Sequence, residues 1–158
     1  MRLSATAPKS SAASDATQTW LSVVRAYNLC DAVMSQRLAE LGLRVPEHEV
    51  LANLLRQPGI TQQQLAERCF VAKSGISMLV TRMAQAGLVQ READPGDARV
   101  RCLSLTAAGL ALAMQTQKIQ NQVVAAMAAQ VSPAELQLIA SAMQRTCVAL
   151  AQLRQDAD

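Results

Sequence analysis

Between Thr61 and Leu105 the spacing of apolar residues changes once, from a helical period to an alternating one, and this change limits what the chain can build. Leu65 and Ala66 mark the inner face of a short helix. Thr61 is placed to cap it, its hydroxyl accepting from a first-turn N–H, with Gln64 in the capping-box position. Phe70-Val71-Ala72 reads as a turn. A second helix follows from about Lys73 to Ala86 with Ile76, Leu79, Val80 and Met83 inward, and Gly87 supplies a left-handed stop. Beyond it, Leu88 to Glu92 reads as a strand and Asp94-Pro95-Gly96-Asp97 as a turn. Val100 to Leu105 reads as the return strand, with Leu103 and Leu105 on one face and Arg101 exposed.

Longer helices flank this stretch. Trp20, Val23, Val24, Tyr27, Met34, Leu38 and Leu41 recur at three- and four-residue steps, one apolar stripe that Gly42 ends. Pro46 opens a helix that buries Val50, Leu51, Leu54 and Leu55, and Pro58-Gly59 breaks it. Thr106 caps a helix carrying Leu110, Met114, Ile119, Val123 and Met127. Ser132, Pro133 and Glu135 start the last one, with Leu136, Ile139, Met143, Cys147, Leu150 and Leu153 as its stripe. Residues 1–16, Ser/Ala-rich with little to bury, read as a disordered tail. The remaining segments are 17–43, 44–105 and 106–158. A central module of about 60 residues has too little core to cover three long stripes. The first and third segments are therefore expected to serve as dimerisation helices in a homodimer.

The fold expected is mostly α with a minor β part: a winged helix-turn-helix with long N- and C-terminal dimerisation helices. In such a module the second helix lies in the DNA major groove. Its outward residues here are Lys73, Ser74, Gly75, Ser77, Met78, Thr81 and Arg82. Small residues admit close approach, and Ser, Thr and Lys reach phosphates or base edges. Taken alone, such a face reads first as a solvated helix surface; the adjacent hairpin tip, Asp97-Ala98-Arg99, is what turns the reading toward DNA. An arginine at a narrow tip suits the negative minor groove, with Asp97 orienting a neighbouring guanidinium. The net charge of +3 alone is too mild to decide the matter. Within Thr61–Leu105, however, Arg68, Lys73, Arg82, Arg91, Arg99 and Arg101 outnumber Glu67, Glu92, Asp94 and Asp97. With Thr61 added, these outward and tip residues and Arg101 form the candidate DNA contacts.

Five ordered segments carry a family resemblance: Leu65-Ala66-Glu67-Arg68, Val71 to Ser77, Gly87 to Arg91, Asp97-Ala98-Arg99, and Leu105-Thr106-Ala107-Ala108-Gly109. In that order they resemble the MarR family of bacterial regulators. The resemblance implies a homodimer on a roughly palindromic operator, with Arg99 in the minor groove. It also implies a repressor released by a small-molecule effector or by cysteine oxidation. Three residues depart from the family pattern: Phe70 in the turn, Ala98 where a second wing arginine is common, and Met78 on the outward face where a polar residue is usual. Ligands of the family often sit between dimer helices and DNA-binding module, which makes Trp20, Arg25, Tyr27 and His48 the candidate pocket residues; His48 otherwise reads as a partly exposed helix residue.

For thiol sensing the candidates are Cys69, where Arg68 would lower the pKa, and Cys102, expected exposed on the wing strand; Cys147 fits the apolar stripe and is expected buried. A cysteine-oxidation-responsive regulator of the same fold is one alternative function. A helical protein-interaction module without DNA binding is another. An enzyme is not expected: there is no Gly-rich phosphate loop, no Ser/His/Asp set and one histidine. No cofactor and no metal are expected, since Cys30, Cys69, Cys102 and Cys147 lack ligand spacing. Nor is a signal peptide or a membrane span, so the place expected is the cytoplasm.

Overall fold

The structure is a computed structural model that describes residues 9–69, 73–93, 96 and 100–156, of which 9–14 and 73–74 by backbone alone. Helix α1 runs Lys9–Ala39 and α2 Val45–Arg56. Strand β1 (Ile60–Thr61) leads into α3 (Gln62–Arg68), and α4 spans Lys73–Gln85. Strands β2 (Val89–Ala93) and β3 (Arg101–Leu105) precede α5 (Ala107–Ala128) and α6 (Pro133–Gln155). The chain divides into two units, Met1–Ile119 and Gln120–Asp158, so that α5 begins in one and ends in the other.

Helix α1 starts at Lys9, well inside the segment read as a disordered tail. Ser10 to Gln18 holds three alanines and neither Gly nor Pro, so nothing in it breaks a helix once the rest of α1 has nucleated one. At the other end Gly42 adopts φ +71°, and Leu43 N–H returns to the Leu38 carbonyl at 3.1 Å, a left-handed stop. The expected stripe divides along its length. Met34 and Leu38 are buried, while Trp20, Val24 and Tyr27 are exposed.

The core of the first unit comes from short elements crossing one another. Leu51, Leu54 and Val50 of α2, Leu65 of α3, Ile76 and Val80 of α4, and Leu103 of β3 are all essentially inaccessible. Each such side chain is worth about 1.5–3 kcal/mol in burial. Thr61 caps α3 as expected: its Oγ1 accepts the Gln64 N–H at 3.1 Å, and Gln64 Oε1 accepts the Thr61 N–H at 2.9 Å. The sheet is antiparallel in the order β1-β3-β2, with Ile60 opposite Leu103 and Leu103 opposite Arg91. Directly opposed residues share a face. Ile60, Leu103 and Val89 therefore form its buried side, and Arg91 and Arg101 lie on that same side by alternation. Arg101 is nonetheless exposed, at the far end of β3 opposite Ala93.

The inward face of α5 differs from the one expected. Of the expected stripe Val123 is buried, but Leu110, Met114 and Met127 are exposed, and Gly109, Ala113 and Thr116 are buried in their place. The cause is close approach. A Cβ on Gly109 would stand 1.9 Å from the Leu88 carbonyl oxygen, so the helix meets the backbone after α4 along its small residues. Thr106 secures the junction, its Oγ1 donating to the Gly87 carbonyl at 2.6 Å and accepting the Gly109 N–H at 3.0 Å. In the second unit α6 starts where expected: Ser132 Oγ accepts the Glu135 N–H, and Glu135 Oε2 accepts from Ser132 N–H at 2.7 Å. These bonds hold the Glu135 carboxyl below its usual range. No residue of α6 is buried within this chain.

Candidate nucleic-acid interface

Helix α4 has two faces. Ile76, Leu79, Val80 and Met83 are buried as their spacing requires, which fixes the outward direction of Ser77, Met78, Thr81 and Arg82, all exposed. Gly75 is half-buried, and Lys73 and Ser74 form the first turn. Three of the polar outward positions carry intramolecular bonds. Thr81 Oγ1 donates to the Ser77 carbonyl at 2.9 Å and accepts from Arg91 Nη2 at 2.8 Å. The latter bond ties α4 to β2, and it exists because Arg91 lies on the helix-facing side of the sheet. Arg82 Nη2 donates to Glu47 Oε1 at 2.7 Å. Glu47 also accepts the Arg44 N–H on Oε2 at 2.6 Å, so one carboxylate caps the start of α2 and holds α4 against it.

The sequence did not single out Arg91 and Glu47 as site residues. Their partners lie 10 and 35 residues away, and only the fold brings them together. Glu47, the residue after Pro46 at the start of an expected helix, did carry a local signal as a first-turn acid. Thr61 is half-buried and spends its hydroxyl on the α3 cap. Arg101 is exposed on β3, opposite Ala93 at the loop end of the hairpin. Asp97, Arg99 and the turn at Phe70 to Ala72 lie outside the described residues.

The four pocket candidates are unlike one another. Trp20, Arg25 and Tyr27 are exposed on α1, with Trp20 and Tyr27 on one face two turns apart. His48 is not partly exposed but buried, because it lies on the α2 face that carries Leu51 and Ala52. Its Nδ1 has no hydrogen-bond partner. Burial first, and Arg56 second, push its pKa below the ordinary 6.5. A surface cavity of about 440 Å³ lies along α6, between Ser141 and Gln152, and involves none of the four.

The cysteines correct three expectations. Cys69 is buried, and its pKa is pushed up to about 11 by burial and then by Glu49, against a hydrogen bond from Asn53. The lowering expected from Arg68 is absent: that residue is exposed, and the sulfur faces the core instead. Cys102 is half-buried, not exposed, as its strand pairs on both edges. Cys147 is exposed, not buried, because the whole α6 stripe is uncovered within this chain. Among the described residues, no group of three His, Cys, Asp or Glu could hold a metal ion, and no single helix is long and apolar enough to cross a membrane.

A family model described as MarR family matches residues 41–100, the stretch from just after α1 to the residue before β3. The transcriptional regulator HosA of Escherichia coli O111:H- is 39% identical over 67 residues, 42% of this chain and 50% of HosA. The chain thus spans about half the length of that relative. Among solved structures, the Staphylococcus aureus MepR–DNA complex superposes with a TM-score of 0.73 at 19% identity, covering 83% of this chain and 96% of MepR. Bordetella bronchiseptica BpsR, whose structure concerns regulation of its DNA binding by 6-hydroxynicotinic acid, gives 0.70 at 21%, covering 79% and 89%. At those identities the likeness is one of fold. The matched segment, the relative and the shared order of elements agree: over residues 41–100 the chain is similar to the MarR family, and its fold is that of the solved members.

Proposed function

We propose that this protein is a sequence-selective DNA-binding transcriptional regulator that acts as a homodimer, a repressor released from a roughly palindromic operator by a small molecule. The observation that carries the reading is the outward face of α4, uncovered from Ser77 to Arg82 and braced to the hairpin through Arg91 and Thr81. A helix so presented fits the major groove, and a hairpin fixed beside it falls over the neighbouring minor groove. Lys73, Ser74, Gly75, Ser77 and Met78 meet the duplex first, and Arg99 enters the minor groove beside Asp97. Arg82 gives one N–H to Glu47 and keeps others for a phosphate. Arg101, at the loop end of the hairpin, serves the DNA backbone.

The homodimer is supported by the uncovered apolar residues of α1 and α6, Trp20, Tyr27, Leu138, Ile139, Leu150 and Leu153 among them. The effector is supported by BpsR, whose DNA binding 6-hydroxynicotinic acid regulates. The effector's site includes Trp20, Arg25, Tyr27 and His48. Thiol sensing at Cys69 is disfavoured by a buried, high-pKa sulfur. No catalysis and no cofactor belong to this reading, and the place of action is the cytoplasm.

Electrophoretic shift of a duplex pool with a random core tests the proposal. Binding should enrich a two-fold symmetric sequence, and affinity for it should fall about a thousandfold between 50 and 200 mM salt. Lys73→Ala and Arg99→Ala should each weaken it. Unchanged affinity in both variants overturns the reading.

A further inference from the structure

Met78 stands near the middle of the outward face of α4 and is 76% exposed, more than any other large apolar side chain among the described residues. Its polar neighbours are engaged. Thr81 spends its hydroxyl on the Ser77 carbonyl and on Arg91, and Arg82 leans to Glu47. Met78 is thus a long side chain free to advance from that face, and it brings no donor and only a weakly accepting sulfur.

A major groove offers such a group little. Base edges present donors and acceptors, and the one apolar group among them is the C5-methyl of thymine. Laid over a polar edge, a thioether would strip water from donors and acceptors without replacing the lost hydrogen bonds. Laid over a methyl, it removes apolar surface from water on both sides. Met also has three rotatable bonds, enough to find a methyl within a few ångströms of its own axis.

We infer that Met78 is a specificity-determining residue that reads the C5-methyl of one thymine in each half-site. The inference rests on the DNA-binding reading above and adds to it a base identity and the group recognised. The duplex most enriched by the full-length protein from a random pool is resynthesised with deoxyuridine replacing each thymidine in turn. Uracil keeps every hydrogen-bonding group and lacks only the methyl. Fluorescence anisotropy should show one position per half-site where the replacement weakens the wild-type protein about fourfold, the contribution of one methyl group. Met78→Ala should bind the thymine and uracil duplexes equally, at the wild-type level for uracil. Met78→Leu, still apolar, should keep a preference for thymine. Because the residue is exposed, both variants should melt with the wild type.

A wild-type protein indifferent to every replacement overturns the inference, as does a Met78→Ala variant with the wild-type thymine preference. A wild-type protein that enriches no sequence overturns the regulator reading and the inference with it. That outcome is distinct, because it abolishes binding instead of levelling a ratio.

Discussion

The sulfur of Cys69 is enclosed at the end of α3, with Asn53 Nδ2 3.7 Å away and Glu49 raising the cost of ionisation. A shift from 9.0 to about 11 leaves about a hundredfold less thiolate at neutral pH. Native protein treated with iodoacetamide near neutral pH should therefore leave Cys69 unlabelled, read by peptide mass spectrometry, and label it once denaturant is added. His48 gives a second residue-scale expectation. Its pKa is lowered in the folded chain, so below about 6.5 the unfolded chain binds a proton that the folded chain refuses. Stability then falls as pH drops from that value toward the folded-state pKa. The urea midpoint should decline between about pH 7 and about pH 5.5, and His48→Asn should flatten the decline. Equal slopes in the two proteins would assign the pH dependence elsewhere. Neither enclosure could be read from the neighbouring residues. Arg68 beside Cys69 in sequence suggested an activated thiol, but a side chain's surroundings are set by the face it occupies.

At the scale of elements, the junction of α4, β2 and α5 depends on a missing side chain. Gly109→Ala places a methyl 1.9 Å from the Leu88 carbonyl oxygen, and backbone cannot move aside as a flexible side chain can. The expected cost is about 3 kcal/mol or more, seen as a lower urea midpoint at unchanged denaturant slope. A variant within about 0.5 kcal/mol of wild type would mean that α5 can slide outward at little cost. The same junction shows where reading elements from sequence succeeds and where it stops. The period of Ile76, Leu79, Val80 and Met83 located α4 and its buried face, and Thr61 and Ser132 marked helix starts by a mechanism that is local. The buried face of α5 was misread because counting large apolar residues measures hydrophobicity, whereas Gly109, Ala113 and Thr116 are inside for their small size. The start of α1 was misplaced for a related reason: a segment with little to bury can still extend a helix that is held elsewhere.

For the whole molecule, the uncovered helices set the expectation. Leu138, Leu150 and Leu153 on α6 and Trp20, Leu21 and Tyr27 on α1 leave more apolar surface in water than a chain this size usually tolerates. Sedimentation of the wild-type protein at micromolar concentration should give twice the 16.9 kDa chain mass. Leu150→Glu should shift it toward the single chain, with a lower melting temperature that depends on protein concentration. A wild-type monomer at high concentration would refute the dimer. A second copy was expected from the sequence, since three long apolar stripes surround a small module. The bonds that shape the candidate interface, Arg91 to Thr81 and Glu47 to Arg82, were not, since each joins elements that only the tertiary fold makes neighbours.

On the proposed DNA-binding reading, the bond from Arg91 to Thr81 also limits how such a protein can change its target. Hairpin tilt and helix roll are coupled through one guanidinium, so a substitution that re-aims one grip drags the other with it. A descendant that acquires a new operator must either alter both contacts together or first lose that arginine and tolerate a looser hold.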